Sequence, residues 1–460
     1  MNEGYNAPSE QSNNADLIAT DKEPKVLPDE ISMQAEVAET IEEFKDSASK
    51  YGFFIADFLE KGEVPDSAQI AELLLSQKNE LPHLVSAVLE RTCNLQCDHC
   101  LYQAEESSKH ISKENDLYGV IENIVSQLPE KPSEIQGGET EVPTFMSGGR
   151  ILTPSHLELF AKLREMRPDV DLKVIDNGTY LNRLSKWPEG FKFDGIDISI
   201  DGTESSNNEQ RQSDQSYKQA MEGLARAREV AHRVTSLFTL TNINAGDVEE
   251  TAKDLLEAPE GELALIDKLY MTTMSPTNDI NASLEISGEE FAGAWEQIKK
   301  VSAMYGPDKC SLSFYRAQDI EKLAAAVGEA KFIKLFEETE EGLGKDFALN
   351  TTRNFLNFTI DGVKISYQPL SIWTPEEFLI EADGAYRTAY EGQFTIDELR
   401  SGVSKDGRDT TPFTIEQLTP ESDFRESYER GVDDYWVNFG KERLTEEMQV
   451  FKRIKEKAQQ

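Results

Sequence analysis

The stretch that decides the fold is LVSAVLERTCNLQCDHC, residues 84–100. Its first seven residues, 84–90, form a short apolar run of the kind found in strands. Cys93, Cys97 and Cys100 follow at once with the spacing C-x3-C-x2-C. Four cysteines in 460 residues are too few for a disulfide scaffold. Because three of the four are grouped, the pattern indicates a shared ligand site.

Downstream of this stretch, short apolar runs alternate with amphipathic segments as far as about residue 275. The strand-type runs are 143–147, 171–176, 195–200, 234–240 and 264–272, and helical segments such as 156–166 and 217–232 lie between them. This alternation predicts parallel strands joined by helical crossovers. Counting the run before the cysteines, about six such units predict an α/β fold, either a partial (β/α)6 barrel or a full α/β barrel. An open doubly wound sheet is the alternative.

The rest of the chain is predicted to add extensions to this core. We expect an acidic disordered tail at 1–30 and a helical amino-terminal extension at 31–80. The barrel core is expected at 81–280, and a mixed α+β carboxyl-terminal extension over the substrate is expected at 281–460. Helices are predicted in the last part at 288–304 and 317–338. Two strands, 354–360 and 363–368, are predicted to form a hairpin around Asp361-Gly362, a strong turn signal.

Charge and hydropathy exclude several classes of protein. The chain has 47 basic and 86 acidic residues, which gives a net charge of −39. Such a charge argues against nucleic-acid binding and against an anionic membrane surface. The amino-terminal residues resemble no signal peptide, and no apolar run is long enough for a transmembrane helix. These features predict a cytoplasmic protein.

The cysteine spacing suits one kind of metal centre best. Three thiolates on one short loop can bind three irons of a cubic 4Fe-4S cluster and leave the fourth iron open to another ligand. A zinc site made by Cys93, Cys97, Cys100 and His99 is one alternative, although the three-residue spacer is unusual for it. Three buried free thiols are the other alternative, but Asn, Gln, Asp and His lie among them.

The stretch resembles the radical S-adenosylmethionine (radical SAM) superfamily, whose signature is this cysteine spacing after the first barrel strand. The resemblance covers about residues 84–275. Further segments match the family's strand ends in order, at 145–150, 176–181, 198–202 with the downstream Arg211, and 240–244. Each match is weak singly, but the series behind a C-x3-C-x2-C motif is specific.

Two positions depart from the family pattern. Arg150 stands where the family usually has the Glu of Gly-Gly-Glu, and Arg accepts no hydrogen bond from an ammonium group. The methionyl amino group would then bind backbone carbonyls at 147–149. A second Gly-Gly-Glu occurs at 137–139, but 148–150 follows an apolar run and precedes a helix. His99 replaces an aromatic residue and is expected either near the adenine or in a solvated loop.

The resemblance implies the cofactors and the chemistry. They are a 4Fe-4S cluster held by the three cysteines and S-adenosylmethionine at the open iron. A reductant such as flavodoxin or ferredoxin would drive cleavage to methionine and a 5′-deoxyadenosyl radical, which abstracts a substrate hydrogen. The resemblance also implies roles for individual residues: Gly148 and Gly149 for the methionyl group, Ser199 and Arg211 for its carboxylate, and Asn177 and Asp201 for ribose or polar contacts. The alternative for Ser199 and Asp201 is that they are ordinary strand-end and turn residues.

Cys310 lies far from the other three cysteines and no cysteine follows it. The sequence after it therefore contains no auxiliary cluster built from cysteine thiolates. Cys310 is predicted to be a buried small residue, an inert surface thiol or a hydrogen-atom donor to the substrate radical. The resemblance implies a function in peptide or natural-product modification, by epimerisation, cross-linking or oxidation, with a peptide or small-molecule substrate. An electron-carrying iron–sulfur protein and a zinc-binding protein are the alternatives.

Overall fold

A computed structural model provides the coordinates. It describes residues 85–90, 92–100, 117–128, 143–258, 263–274, 279–335, 338–339, 342–343, 347–350, 355–367, 379–380, 385–387, 415–423, 426 and 441–460. All of them belong to one compact unit, 44–460. The predicted tail and amino-terminal helices, and the upstream Gly-Gly-Glu at 137–139, lie outside the described residues.

The described chain begins as an alternation of strands and helices. The strands are β1 (Val85–Glu90), β2 (Pro143–Gly148), β3 (Asp171–Asp176), β4 (Phe193–Ser199), β5 (Ala231–Leu240), β6 (Lys268–Thr273), β7 (Cys310–Phe314), β8 (Glu338–Thr339), β9 (Gly342–Leu343), β10 (Phe347–Asn350), β11 (Phe355–Ile360), β12 (Val363–Tyr367), β13 (Leu379–Ile380), β14 (Ala385–Arg387) and β15 (Ile415–Gln417). The helices are α1 (Leu117–Gln127), α2 (Pro154–Met166), α3 (Glu204–Gln210), α4 (Ser216–Val230), α5 (Val248–Leu256), α6 (Asp279–Ala282), α7 (Gly288–Tyr305), α8 (Ala317–Val327), α9 (Glu329–Ile333) and α10 (Lys441–Ala458).

The sheet confirms the predicted partial barrel. Strands β1 to β7 lie side by side in sequence order, and every neighbouring pair is parallel. A doubly wound sheet reverses its strand order at a switch point, and this series has none. Because right-handed crossovers then advance in one direction, the helices collect on one face. Parallel β12 extends the sheet beyond β7, and parallel β13 extends it beyond β1.

The two faces of the sheet differ in polarity. Along β5 and β6, buried residues such as Phe238 and Met271 alternate with half-buried residues such as Thr239 and Thr272. The apolar face packs against helices, as shown on the neighbouring β7, where the Phe314 ring lies 5.9 Å from that of Phe291 in α7. The opposite face, called the inner face below, is polar. A parallel sheet covered on both faces is normally apolar throughout.

Most predicted elements are confirmed, with shifted ends. The hairpin is present, because β11 and β12 pair antiparallel around Asp361 and Gly362, which have φ angles of 54° and 80°. The helix predicted at 317–338 is interrupted at Gly328, where the backbone φ of 93° separates α8 from α9. The sequence did not predict strand β7. Among the described residues, no helix combines the length and the apolar character needed to cross a membrane.

Candidate metal centre

The three clustered cysteines lie on the loop that follows β1, at the carboxyl edge of the parallel strands. All three thiols are free and partly buried. The loop turns back on itself where the Cys100 amide donates to the Cys97 carbonyl at 3.1 Å, and the Leu95 amide donates to the Cys93 Sγ at 3.4 Å. Within the described residues, no three His, Cys, Asp or Glu side chains converge as ligands of a single metal ion.

The end of β2 holds the first side of this loop. The Gly149 amide donates to the Glu90 carbonyl at 2.7 Å, and the Arg150 amide donates to the Thr92 carbonyl at 3.1 Å. A Cβ at Gly148, where φ is +134°, would lie 2.2 Å from the Glu90 carbonyl oxygen, and a Cβ at Gly149 would lie 2.1 Å from that of Thr92. Both glycines are therefore required by the close approach of the two backbones.

The end of β3 holds the second side. The Asn177 side-chain amide donates to the Cys93 Sγ at 3.4 Å and to the Asn94 Oδ1 at 3.3 Å. Thr179 completes this network, because its hydroxyl donates to the Asn177 Oδ1 at 2.7 Å and accepts from the Asn94 Nδ2 at 3.1 Å. The structure thus places Asn177 against a cysteine sulfur.

Asp176 ties the ends of β2 and β3 together. Its buried carboxylate accepts from the amides of Ile151 and Leu152, each at 3.0 Å. Burial raises the pKa of this carboxyl, although these hydrogen bonds and the nearby Arg150 oppose the shift. The Arg150 guanidinium lies 4.8 Å from the centre of the Tyr180 ring, a cation–π contact. Arg150 is therefore engaged by this ring beside the loop.

Asp201, just beyond β4, holds the third side. Its carboxylate accepts from the Arg211 guanidinium and, at 2.8 Å, from the Thr239 amide. The same carboxylate lies 3.3 Å from the His99 Nε2. Burial alone would raise the pKa of Asp201, but Arg211 and His99 hold it well below its ordinary value. The structure therefore places the Asp201 carboxylate in a buried clamp between the cysteine loop, β5 and the residue that ends α3.

Two buried polar atoms at this clamp have no hydrogen-bond partner within the described residues. They are the Nδ1 of His99 and the Nε of Arg211. A buried polar group without a partner is costly, so each such atom marks a place where a ligand can bind. The donor set also fits a cluster, because hydrogen bonds to cysteine sulfur, such as that of Asn177, tune iron–sulfur centres.

Burial favours the protonated form of two of the three thiols, those of Cys93 and Cys97. Burial raises the pKa of Cys93, and it raises the pKa of Cys97 to about 12 even though Arg211 opposes the shift. Metal ligation requires the thiolate form of cysteine. Binding of a metal centre here must therefore displace protons from these thiols.

Two predicted residues lie apart from this assembly. Ser199 is the last residue of β4 and is half-buried at the same edge as the loop. Cys310 is the first residue of β7, so it lies at the amino end of its strand, away from the carboxyl edge. It is fully buried in the apolar core, and burial raises the pKa of its thiol to about 12. The structure does not bring Cys310 together with the other three cysteines.

The sequence did not point to several residues that hold the loop. Asn94 and Thr179 bind Asn177, Thr239 binds Asp201, and the Gln210 carbonyl accepts from the Asp98 amide at 3.2 Å. The sequence signals for these contacts are slight. Asn94 lies between two cysteines, and Thr179 follows an Asn-Gly pair.

Comparison with known proteins finds one informative relative. The chain is 30% identical over 186 residues to pre-heme d1 synthase of Dinoroseobacter shibae, a radical SAM enzyme. This match covers 40% of the chain, and it spans 41% of the length of the relative. No protein-family model matches the chain.

Two solved structures are also similar, at lower levels. SuiB from Streptococcus suis is 11% identical with a TM-score of 0.45, and the match covers 81% of this chain and 72% of SuiB. The enzyme anSMEcpe with bound AdoMet and a Cp18Cys peptide is 12% identical with a TM-score of 0.37, covering 75% of this chain and 81% of that one. TM-scores of this size do not establish a common fold.

The relation to pre-heme d1 synthase agrees with two features of the chain itself. One is the C-x3-C-x2-C loop, and the other is its position after the first of seven parallel strands. The predicted resemblance to the radical SAM superfamily is thereby confirmed, since the chain is similar over 40% of its length to a radical SAM enzyme.

Proposed function

We propose that the chain binds a 4Fe-4S cluster through Cys93, Cys97 and Cys100 and uses it with S-adenosylmethionine to start a radical reaction on a substrate. The observation that carries this proposal is the loop of three free thiols anchored at the carboxyl edge of the sheet, with Asn177 donating to a cysteine sulfur. When bound, the cluster and S-adenosylmethionine supply an electron and a 5′-deoxyadenosyl radical.

The residues of this chain act by positioning. Gly148 and Gly149 let the β2 end lie against the cysteine loop and turn backbone groups toward the same edge. The Nε of Arg211 and the Nδ1 of His99, which have no partner in the part of the chain that the structure describes, are suited to the carboxylate or the adenine of S-adenosylmethionine. We propose that Arg150, engaged by Tyr180, leaves the recognition of the methionyl amino group to backbone carbonyls.

The proposal distinguishes direct contact with S-adenosylmethionine, by Ser199, from action through other protein groups, by Asn177 and Asp201. Ser199 is the half-buried hydroxyl at the site edge and is proposed to contact S-adenosylmethionine. Asn177 acts on the Cys93 sulfur, and Asp201 acts through Arg211 and His99.

The electron donor is proposed to be a small reductant such as flavodoxin or ferredoxin. The proposed outcome of the reaction is the tailoring of a peptide or another natural product.

The iron content of cysteine variants tests the metal centre. After anaerobic reconstitution, Cys93→Ala, Cys97→Ala and Cys100→Ala should each lose most of their iron and the absorbance near 400 nm. Cys310→Ala is the matched control, because it also removes a cysteine thiol but at the other end of the sheet. Equal iron in all four variants would reject the assignment of the three ligands.

Formation of 5′-deoxyadenosine tests the chemistry. The reconstituted, reduced wild type and Cys310→Ala should convert S-adenosylmethionine to methionine and 5′-deoxyadenosine, while the three ligand variants should not. A cluster that is present and reducible but yields no 5′-deoxyadenosine would favour an electron-carrying iron–sulfur protein. Bound zinc in place of iron after anaerobic purification would favour the zinc-binding alternative.

A further inference from the structure

Hydroxyl and amide side chains form a continuous row on the inner face of the sheet. The strand register places Thr239 of β5 beside Thr272 of β6, and Thr272 beside Ser313 of β7. Ser313 lies beside Ser366 of β12, which lies beside Asn357 of β11. We call these five residues the hydroxyl row. Paired residues of neighbouring strands point to the same face, so the row crosses five strands, a span of about 19 Å.

One end of the row lies at the candidate metal centre. The backbone amide of Thr239 donates to the Asp201 carboxylate at 2.8 Å, and that carboxylate also binds Arg211 beside the cysteine loop. From there the row leads away from the loop across β6 and β7. A molecule lying along the row would therefore have one end next to the cysteine loop.

Two hydroxyls on β7 indicate that the row faces a ligand. Ser313 of the row is fully buried, and Ser311, two residues earlier on the same face, is 4% exposed. Neither hydroxyl has a hydrogen-bond partner within the described residues. Interiors of parallel barrels are normally filled by bulky apolar side chains, which would make such hydroxyls unfavourable. Two adjacent buried hydroxyls without partners are explained if a bound molecule supplies the partners.

The row also limits the charge of that molecule. None of its five side chains is ionisable. The neighbouring row toward the amino ends contains Lys364, but this ammonium group pairs with Asp308. A charged ligand group buried against hydroxyls alone would lose hydration without gaining an opposite charge. Hydroxyls both donate and accept, which suits amide and alcohol groups.

We propose that the hydroxyl row and Ser311 form the substrate-binding surface, and that they bind the substrate through uncharged amide or hydroxyl groups. The proposal rests on the radical function proposed above, because it treats the row as the substrate site of that reaction. It assigns part of the substrate site to β7 and β12, beyond the six predicted barrel units.

Single serine variants separate binding from folding. Ser311→Ala and Ser313→Ala remove hydroxyls that have no partner within the described residues, so we expect the denaturation midpoint to stay the same or rise. Ser236→Ala is the matched control. Ser236 is equally buried and its hydroxyl also lacks a partner within the described residues, but alternation along β5 puts it on the helix-covered face.

Defined probes measure binding by saturation-transfer NMR on the cluster-loaded protein. N-acetyl-trialanine amide offers amide groups and maltotriose offers hydroxyls, so the two distinguish the source of the uncharged groups. N-acetyl-triglutamate amide and N-acetyl-trilysine amide are the charged comparisons. We expect a neutral probe to bind the wild type and Ser236→Ala, and to lose about fivefold in affinity for each β7 hydroxyl removed.

Each outcome decides the proposal. Binding of trialanine assigns an amide-bearing substrate, and binding of maltotriose assigns a hydroxyl-bearing one. The proposal is overturned if no neutral probe binds, if a charged probe binds more tightly, or if Ser311→Ala and Ser313→Ala bind as the wild type does. An equal loss in Ser236→Ala would also overturn it. Formation of 5′-deoxyadenosine in the same preparations reports separately on the radical function.

Discussion

Replacement of Asp201 by Asn should weaken the fold far more than the loss of one exposed ion pair. The Asp201 side chain is 1% exposed and that of its partner Arg211 is 6% exposed, so the pair is desolvated. Its carboxylate also accepts from the Thr239 amide and lies beside the His99 ring. Asp201→Asn keeps the shape but leaves the buried guanidinium without a counter-charge. Breaking a buried pair on one side costs about 3–5 kcal/mol.

Urea unfolding of the chain without cluster, followed by circular dichroism, measures this cost. Glu229→Gln is the matched control, because it removes a carboxylate charge from an exposed pair with Arg226 and should cost less than about 1 kcal/mol. In the double variant Asp201→Asn with Arg211→Met, the loss should be smaller than the sum of the single losses by about 1–3 kcal/mol. The stabilising role of the buried Asp201–Arg211 pair is refuted if Asp201→Asn lowers the free energy of unfolding by no more than Glu229→Gln does.

Three further variants test other parts of the structure. Gly149→Ala would place a Cβ 2.1 Å from the Thr92 carbonyl and should destabilise the chain by about 1–3 kcal/mol and lower its iron content, whereas Gly246→Ala, with open space around it, should change neither. Burial raises the pKa of Asp197 from 3.8 to about 6 in the folded chain. The ionised carboxylate therefore lowers the free energy of unfolding increasingly as the pH rises through this range. Asp197→Asn should therefore raise the free energy of unfolding, measured by urea, by up to about 3 kcal/mol at pH 7 and leave it unchanged below pH 4. From its place at the amino end of β7, Cys310→Ala should leave both 5′-deoxyadenosine and product formation intact, and loss of product alone would support the hydrogen-donor role.

The sequence predicted the elements best where an apolar pattern was long and bounded by turn residues. Strand β3 was predicted residue for residue at 171–176, and the Asp361-Gly362 turn located the hairpin. Strand β7 was missed because it has only five residues and two of them are serines. Its strand character comes from pairing with β6 and β12, which no local pattern reports.

The same distinction applies to the site. The three cysteines share one loop, so their spacing alone predicted a common ligand site. The partner of Cys93, however, is Asn177, which lies 84 residues further along the chain. The ribose or polar contacts of Asn177 and Asp201 with S-adenosylmethionine, which the resemblance implies, stay predictions. The anchoring roles of both residues depend on which strand ends meet, and this is set by the order of the sheet.

The arrangement of hydrogen-bonded and partnerless polar groups within the described residues links the candidate metal centre to the proposed substrate surface. Three strand ends hold the cysteine loop through hydrogen bonds made within the described residues, so little ordering should be needed when a cluster binds. The buried polar atoms left without partners there include the His99 Nδ1, the Arg211 Nε and, on β7, the hydroxyls of Ser311 and Ser313. The first two adjoin the loop, and the other two lie along the row that starts at the Asp201 clamp. If folding alone had shaped β7, apolar residues at 311 and 313 would be more stable. We attribute the cost in stability of these two serines to substrate binding, and a raised denaturation midpoint together with lost probe binding is its expected signature.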